Sequence, residues 1–150
     1  MAAPPGAPDA RQSLNACAAA IGAVIYEKYG PRIGWTQLLQ ILEDRTCVRY
    51  PCEIVFDAAP LQAWEFAHPV ARGDHPQDGF SVYVHPFLMT QLEEVPRLVL
   101  YQLLLINYGA FAAPEDAEIL GAAALGLSRD EYYRTLCELM DELQLKTVPA

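Results

Sequence analysis

The sequence predicts an α+β fold, with two N-terminal helices, a small three-stranded antiparallel sheet and three C-terminal helices. Three observations lead to this prediction. In the first third of the chain, apolar residues recur at three- and four-residue steps, which is the helical period. The middle of the chain is rich in β-branched and aromatic residues, which favour strands. The last third returns to the helical period.

The N-terminal helices are predicted over residues 9–29 and 36–44. In the first helix the apolar positions are Leu14, Cys17, Ala18, Ile21, Val24 and Ile25. Gly30 and Pro31 break this pattern, so the helix ends before them. The second helix carries its apolar residues on one side, namely Leu38, Leu39, Ile41 and Leu42.

Three segments of the middle region are predicted to be antiparallel strands, namely VRYPCEIVFDA, LQAWEFAHPV and GFSVYVHPF. Ala-Pro separates the first two segments, and the loop-forming cluster RGDHPQDG separates the last two. Proline cannot donate a ladder hydrogen bond, so the prolines inside these segments indicate a small sheet with at least one exposed edge.

The most apolar stretch of the chain is LVLYQLLLINYGA, residues 98–110, and it predicts a central buried helix at about 96–108. Gly109 suits the left-handed cap that ends such a helix. Pro114 and the acidic residues after it predict the start of another helix. The capping box SRDE, beginning at Ser128, opens the last helix, whose apolar stripe is Tyr132, Tyr133, Leu136, Leu139, Met140 and Leu143.

The length and composition predict one globular domain. The chain has 150 residues and a hydrophobic fraction of 53%, which suffice for a single core. We predict a flexible leader at 1–8, a single domain at 9–145 and a flexible tail at 146–150. The leader lacks the positive start and apolar core of a secretory signal, which predicts a cytoplasmic location. Four cysteines in such a chain predict reduced thiols rather than disulfides.

The charge of the chain limits its partners. A formal net charge of −9 repels nucleic acid phosphates and anionic lipid surfaces. No apolar run approaches the ~20 residues that span a bilayer. We therefore expect neither nucleic acid nor a membrane as a partner.

The sequence lacks the motifs that carry familiar chemistries. It has no Gly-x-Ser-x-Gly, no phosphate-binding glycine loop and no His-Glu-x-x-His. Residue types that could bind a metal are present, namely His68, His75, His85, Cys47, Cys52, Asp57, Glu65 and Asp74. Strand alternation places His68 with Trp64 and Phe66, and His85 opposite the apolar face of its strand, so the two histidines are expected on opposite faces. We predict no metal site and no cofactor.

The order of the elements resembles that of the small zincin-type metallopeptidase domains. In both, helices precede a small sheet, a buried helix follows, and a further helix comes next, here with the sequence EDAEILGAAALG. The family carries His-Glu-x-x-His on the buried helix, where this chain has Tyr101, Gln102 and Leu105, and an acidic ligand on the next helix, where it has Glu118 or Glu115. Neither imidazole is present, and Gln102 cannot take a proton from water. The resemblance covers residues 47–125 and implies a degenerate scaffold without zinc or peptidase activity.

By exclusion, the sequence predicts an intracellular, acidic, non-enzymatic interaction module that binds a protein partner or itself, with a dimer as one form. Aromatic residues in mobile-looking segments, such as Trp35, Trp64 and Phe111, could anchor an interface. The alternative is a hydrolase or metal-dependent enzyme that uses a His/Cys/Asp cluster near the sheet, for example Cys52 with His68 or His85. A small-ligand pocket between the sheet and the helices is a third possibility. The candidate binding residues are Gln102, Asn107, Tyr101, Trp64, His68 and His85.

Overall fold

The computed structural model describes residues 7–147, and the side chains of residues 13–145. Within these residues the chain forms five helices and one three-stranded sheet, which confirms the α+β fold class. The helices are α1 (Ala7–Tyr29), α2 (Trp35–Glu43), α3 (Val95–Tyr108), α4 (Pro114–Leu125) and α5 (Arg129–Thr147). The strands are β1 (Cys52–Phe56), β2 (Ala67–Ala71) and β3 (Phe80–Val84). Most of the predicted leader and tail, residues 1–6 and 148–150, lies outside the described residues.

The sheet is mixed, so the prediction of a purely antiparallel sheet is wrong. Its strand order is β1-β3-β2. β3 pairs with β2 in the antiparallel sense and with β1 in the parallel sense. The chain reverses after β1 and again after β2, and β3 then enters between the other two strands. Two reversals give β1 and β3 the same direction, and their pairing is therefore parallel.

The sheet buries one face. Cys52, Ile54 and Phe56 of β1 pack against the core, together with the inward side chains of β3, Phe80, Val82 and Val84. His68 is the register partner of Tyr83, so it lies on the opposite, outer face. The register therefore places His68 on the face of Tyr83, and not on the apolar face that the sequence pattern indicated.

The central helix α3 is the core of the fold, as predicted. Its buried residues are Val95, Pro96, Leu98, Val99, Leu100, Leu103, Leu104, Ile106 and Asn107. It ends at Gly109, which has a φ of 59°, a value that a residue with a Cβ adopts at a cost. The predicted capping box at the start of α5 is also confirmed: the backbone N–H of Ser128 donates to Glu131 Oε1 at 3.0 Å, and the N–H of Glu131 donates to Ser128 Oγ at 3.1 Å.

None of the described helices combines the length and the apolar character that crossing a bilayer requires.

Asp44 joins the end of α1 to the loop after α2. Its carboxylate accepts hydrogen bonds from the backbone N–H and hydroxyl of Thr46 at 2.9 and 2.6 Å, from Tyr29 Oη at 2.8 Å, and from Lys28 Nζ at 3.0 Å. The bonds from Thr46 and then Tyr29 hold the pKa of Asp44 well below its usual range. In return, the bond to Asp44 is the main cause that raises the pKa of Tyr29 to about 12.

This cluster predicts an acid-dependent loss of stability. The folded-state pKa of Asp44 is depressed below its unfolded value of about 3.9, so its contribution is fully present above that pH and is lost as the pH falls through the folded pKa. We expect Asp44→Asn to lower the free energy of unfolding by about 1–2 kcal/mol at pH 7. Urea unfolding between pH 7 and pH 3 should show a shallower acid decline for this variant than for the wild type. The exposed Asp74, changed to Asn, serves as the control and should leave the decline unchanged.

Candidate functional site

The described surface has a cleft between the start of β2 and the helices α3, α4 and α5. Its volume is about 590 Å³, within the ~300–1,000 Å³ range of ligand sites. The strand side is formed by Trp64–His68 and the floor by α3. We call this feature the cleft. It brings together four of the six residues predicted to bind, which are Trp64, His68, Tyr101 and Gln102.

α3 contributes one helical face to the cleft. The lining residues of this face are Leu98, Tyr101, Gln102 and Leu105, and their spacing of three and four residues places them on one side of a helix. Burial raises the pKa of Tyr101 above its usual value. The side-chain amide of the half-buried Gln102 makes no hydrogen bond to another described residue. An apolar face thus presents one amide whose donors and acceptor are all available.

Asn107 has a structural role, although the sequence suggested that both Gln102 and Asn107 bind a ligand. Asn107 is 3% exposed and does not line the cleft. Its Nδ2 donates to the carbonyl of Cys47 at 3.0 Å, and its Oδ1 accepts from the N–H of Arg49 at 2.8 Å. It therefore satisfies the buried carbonyl of Cys47 and a part-buried N–H in the segment that leads into β1. A separation of five residues places the two amides about 140° apart around a helix, so the periodicity alone separates them.

α5 forms the wall opposite the strand, a role that the sequence pattern does not indicate. The lining residues from α5 are Tyr133, Leu136, Cys137 and Met140. The predicted apolar stripe placed Tyr133, Leu136 and Met140 in the core together with Tyr132, Leu139 and Leu143, and the last three are buried. The six predicted positions span about 120° of the helix, which is the width of an ordinary core-facing stripe, so the periodicity alone does not separate the cleft wall from the core.

The rim of the cleft carries exposed aromatic residues and two carboxylates, each close to a nitrogen-bearing side chain. Trp64 is 62% exposed and Tyr133 is 56% exposed. His68 Nδ1 lies 3.1 Å from Glu65 Oε2, and Glu65 Oε1 accepts the backbone N–H of Gln62 at 2.9 Å. Across the cleft, Glu118 of α4 lies 3.4 Å from a guanidinium nitrogen of Arg129. Besides Gln102 and the aromatic side chains, the polar side chains that line the cleft are therefore few, mainly Glu65, His68 and Glu118.

His85 and Cys52 lie outside the cleft and make structural contacts. His85 Nδ1 accepts the N–H of Phe87 at 3.2 Å, and its ring packs on Phe87 and Phe66 with centroids at 5.0 and 5.6 Å. Burial lowers its pKa. Cys52 donates to the carbonyl of Tyr50 at 3.3 Å, and burial raises its pKa to about 11. A thiol with such a pKa is a poor nucleophile at neutral pH.

Among the described side chains, those of residues 13–145, no group of three or more His, Cys, Asp and Glu is arranged to hold a metal ion. Comparison of the chain with protein-family models, with curated proteins and with solved structures finds no match. Function is therefore inferred from the cleft, which can bury apolar groups and offer one amide, Gln102, for directional hydrogen bonding.

Proposed function

We propose that the protein is a non-enzymatic binding module whose cleft takes an apolar side chain from an extended segment of a partner protein. The observation that carries this proposal is the amide of Gln102, which lies without a hydrogen-bond partner among the described residues on an otherwise apolar wall. Leaving such a group unpaired under a bound ligand would cost about 1–3 kcal/mol. The preferred ligand therefore brings both apolar surface and hydrogen-bonding groups.

A peptide satisfies both requirements. The side chain of Gln102 offers one carbonyl acceptor and one NH₂ donor, which match the N–H and C=O of a peptide group. The walls formed by Leu98, Leu105 and Met140 suit an aliphatic or aromatic side chain. At the rim, Trp64 is exposed and available to cover the bound segment, as aromatic anchors do at protein interfaces.

Charge favours a neutral or basic segment over an acidic one. The two carboxylates that line the cleft are Glu65 and Glu118, and the whole chain carries a formal net charge of −9. An acidic segment would approach against this field, whereas a basic one would be steered toward it. Four free thiols, at Cys17, Cys47, Cys52 and Cys137, support the cytoplasmic location that is part of this proposal.

The same proposal includes a scaffold similar to that of the small zincin-type domains. Support comes from Tyr101, Gln102, Leu105 and Glu118, which all line the cleft and are the positions that the resemblance aligns with that family's motif. The residue types do not fit a zinc ion, because Leu105 has no donor atom and Tyr101 replaces an imidazole. We derive no metal-dependent step from this site.

Peptide binding tests the proposal directly. The probes are dye-labelled, amidated octapeptides of sequence ARAAXARA with Leu, Phe or Asp at X, and the measurement is fluorescence anisotropy. We expect the Leu and Phe peptides to bind about tenfold or more tightly than the Asp peptide, since burial of such a side chain is worth about 1.5–3 kcal/mol. Gln102→Leu should weaken the binding of the Leu peptide about tenfold through the lost hydrogen bonds.

The matched control is Gln40→Leu on the exposed side of α2, which should leave peptide affinity unchanged. Binding of a small apolar dye distinguishes a peptide ligand from a purely apolar small molecule. Gln102→Leu makes the cleft more apolar, so it should maintain or strengthen dye binding while it weakens peptide binding. Tighter peptide binding in Gln102→Leu, or no binding of the Leu and Phe peptides at millimolar concentration, would contradict the proposal.

A further inference from the structure

The two carboxylates that line the cleft differ in how far their oxygens are paired. Each of the side chains of Glu65 and Glu118 is only 14% exposed. Both oxygens of Glu65 have a partner: the backbone N–H of Gln62 donates to Oε1 at 2.9 Å, and His68 Nδ1 lies 3.1 Å from Oε2. Among the described residues, Glu118 has a polar contact at Oε2 alone, with Arg129 at 3.4 Å. Its Oε1 can therefore bind a ligand.

The contact between Arg129 and Glu118 is loose. The side chain of Arg129 is 46% exposed, and its guanidinium is shared between Glu118 at 3.4 Å and Glu115 at 3.5 Å. Charge-assisted hydrogen bonds between such groups are usually shorter, at roughly 2.7–2.9 Å, and exposed ion pairs of this kind contribute little. Arg129 therefore leaves Glu118 able to pair with a second cation.

Two tyrosines of the cleft belong to the surroundings of Glu118. Burial raises the pKa of Tyr101, and the charge of Glu118 raises it further, so the carboxylate acts on this tyrosine directly. The hydroxyl of Tyr101 makes no hydrogen bond to another described residue. Tyr133 of α5 also lines the cleft. A carboxylate oxygen, an unpaired hydroxyl and aromatic rings together suit an organic cation.

A ligand that fills the cleft must compensate for the water that it removes from Glu118. A purely apolar segment would cover the carboxylate and give it no partner. Leaving a charged group unpaired in an apolar environment costs more than leaving a neutral amide such as Gln102 unpaired. A cation on the ligand would replace the lost water, so charge complementarity favours a segment that carries one.

We propose that the partner segment bound in the cleft carries a basic residue near its apolar anchor, and that the cation of this residue pairs with Oε1 of Glu118. The proposal rests on the function proposed for the cleft and specifies its ligand. A basic side chain fits because its aliphatic stem packs on apolar walls while its charged end reaches a carboxylate. Gln102 would then bind the backbone of the segment, and Glu118 would select its charge.

Two dye-labelled, amidated peptides that share a Leu anchor, ARAALARA and AQAALAQA, test this proposal. Fluorescence anisotropy is measured at about 0.15 M salt, where distant charges are largely screened. We expect the wild type to bind the Arg peptide about tenfold more tightly than the Gln peptide, because hydrogen bonds to a charged partner are the stronger ones. Glu118→Gln should reduce this preference to about twofold or less. The same variant should bind the Gln peptide as tightly as the wild type or more tightly, since it has no carboxylate to desolvate.

Glu115→Gln is the matched control. Glu115 shares Arg129 with Glu118, but its side chain is 44% exposed and does not line the cleft. The two substitutions change the net charge equally, and Glu115→Gln should keep the preference for the Arg peptide within about twofold of the wild-type value.

An equal loss of preference in the Glu115 and Glu118 variants would show that the overall charge attracts the Arg peptide, and it overturns the proposal. Equal binding of both peptides by the wild type also overturns it. In that case the function proposed for the cleft still stands if AQAALAQA binds more tightly than AQAADAQA. If neither Leu peptide binds at millimolar concentration, both proposals are wrong.

Discussion

Gly121→Ala is expected to lower the free energy of unfolding by about 1–3 kcal/mol, although alanine is the better helix former. Gly121 lies in α4 directly beneath the ring of Tyr132, and a Cβ at this position would overlap that ring. Tyr132 is fully buried, and its hydroxyl donates to the carbonyl of Arg97 at 2.6 Å. Moving the ring would disturb the packing of α3, α4 and α5 together. Overpacking of this kind costs about 1–3 kcal/mol, and loss of the hydrogen bond costs about 1 kcal/mol more, against a gain in helix propensity of about 1 kcal/mol.

A double-mutant cycle separates the overlap from other causes. In a Tyr132→Leu background the ring is absent, so Gly121→Ala should be neutral or stabilising by up to about 1 kcal/mol. Urea unfolding of the wild type, the two single variants and the double variant gives the coupling free energy between Gly121 and Tyr132. An equal loss of stability from Gly121→Ala in both backgrounds would show that the ring of Tyr132 is not the cause.

Asn107→Leu is expected to lower the free energy of unfolding by about 2–4 kcal/mol. The change keeps a similar volume but removes the acceptor for the N–H of Arg49 and the donor to the carbonyl of Cys47. Asn107 and Cys47 are almost fully buried, at 3% and 1% exposure, so water does not readily replace the amide there. Each unsatisfied buried group costs about 1–2 kcal/mol. Urea denaturation of the wild type and of Asn107→Leu measures this change in the free energy of unfolding.

Asn15→Leu is the matched control for Asn107→Leu. The Oδ1 of Asn15 is buried and has no hydrogen-bond partner among the described residues, so its removal leaves no partner of that atom unsatisfied. We expect a change within about 1 kcal/mol at Asn15. If the two variants lose stability equally, the bridge from Asn107 to Cys47 and Arg49 does not contribute as argued.

The features predicted correctly from the sequence are those set by neighbouring residues. The helix boundaries near Tyr29 and Tyr108 follow from glycine and proline, and the capping box at Ser128 follows from a three-residue spacing. Helical periodicity also identified the buried helix α3. In each case the physical cause acts within one or two turns of the chain.

The order and direction of the strands could not be predicted in the same way. The sequence shows that the chain reverses near the cluster at residues 72–79, but it does not show that β3 returns between β1 and β2. That choice depends on which strand can bury Val82 and Val84 completely. It is a property of the packed core, because the contacts involved join residues far apart in sequence.

In the candidate site, too, some features follow from local sequence and others depend on tertiary contacts. From the chain alone, Gln102 and Asn107 were two amides on one apolar helix, and both were candidates for binding. Their difference comes from distant neighbours: the segment around Cys47 and Arg49 satisfies Asn107, whereas the walls from β2 and α5 leave Gln102 facing an open cleft. Local sequence encodes that an amide is present and on which side of the helix it lies. Whether it is satisfied depends on groups that only folding brings within hydrogen-bonding distance.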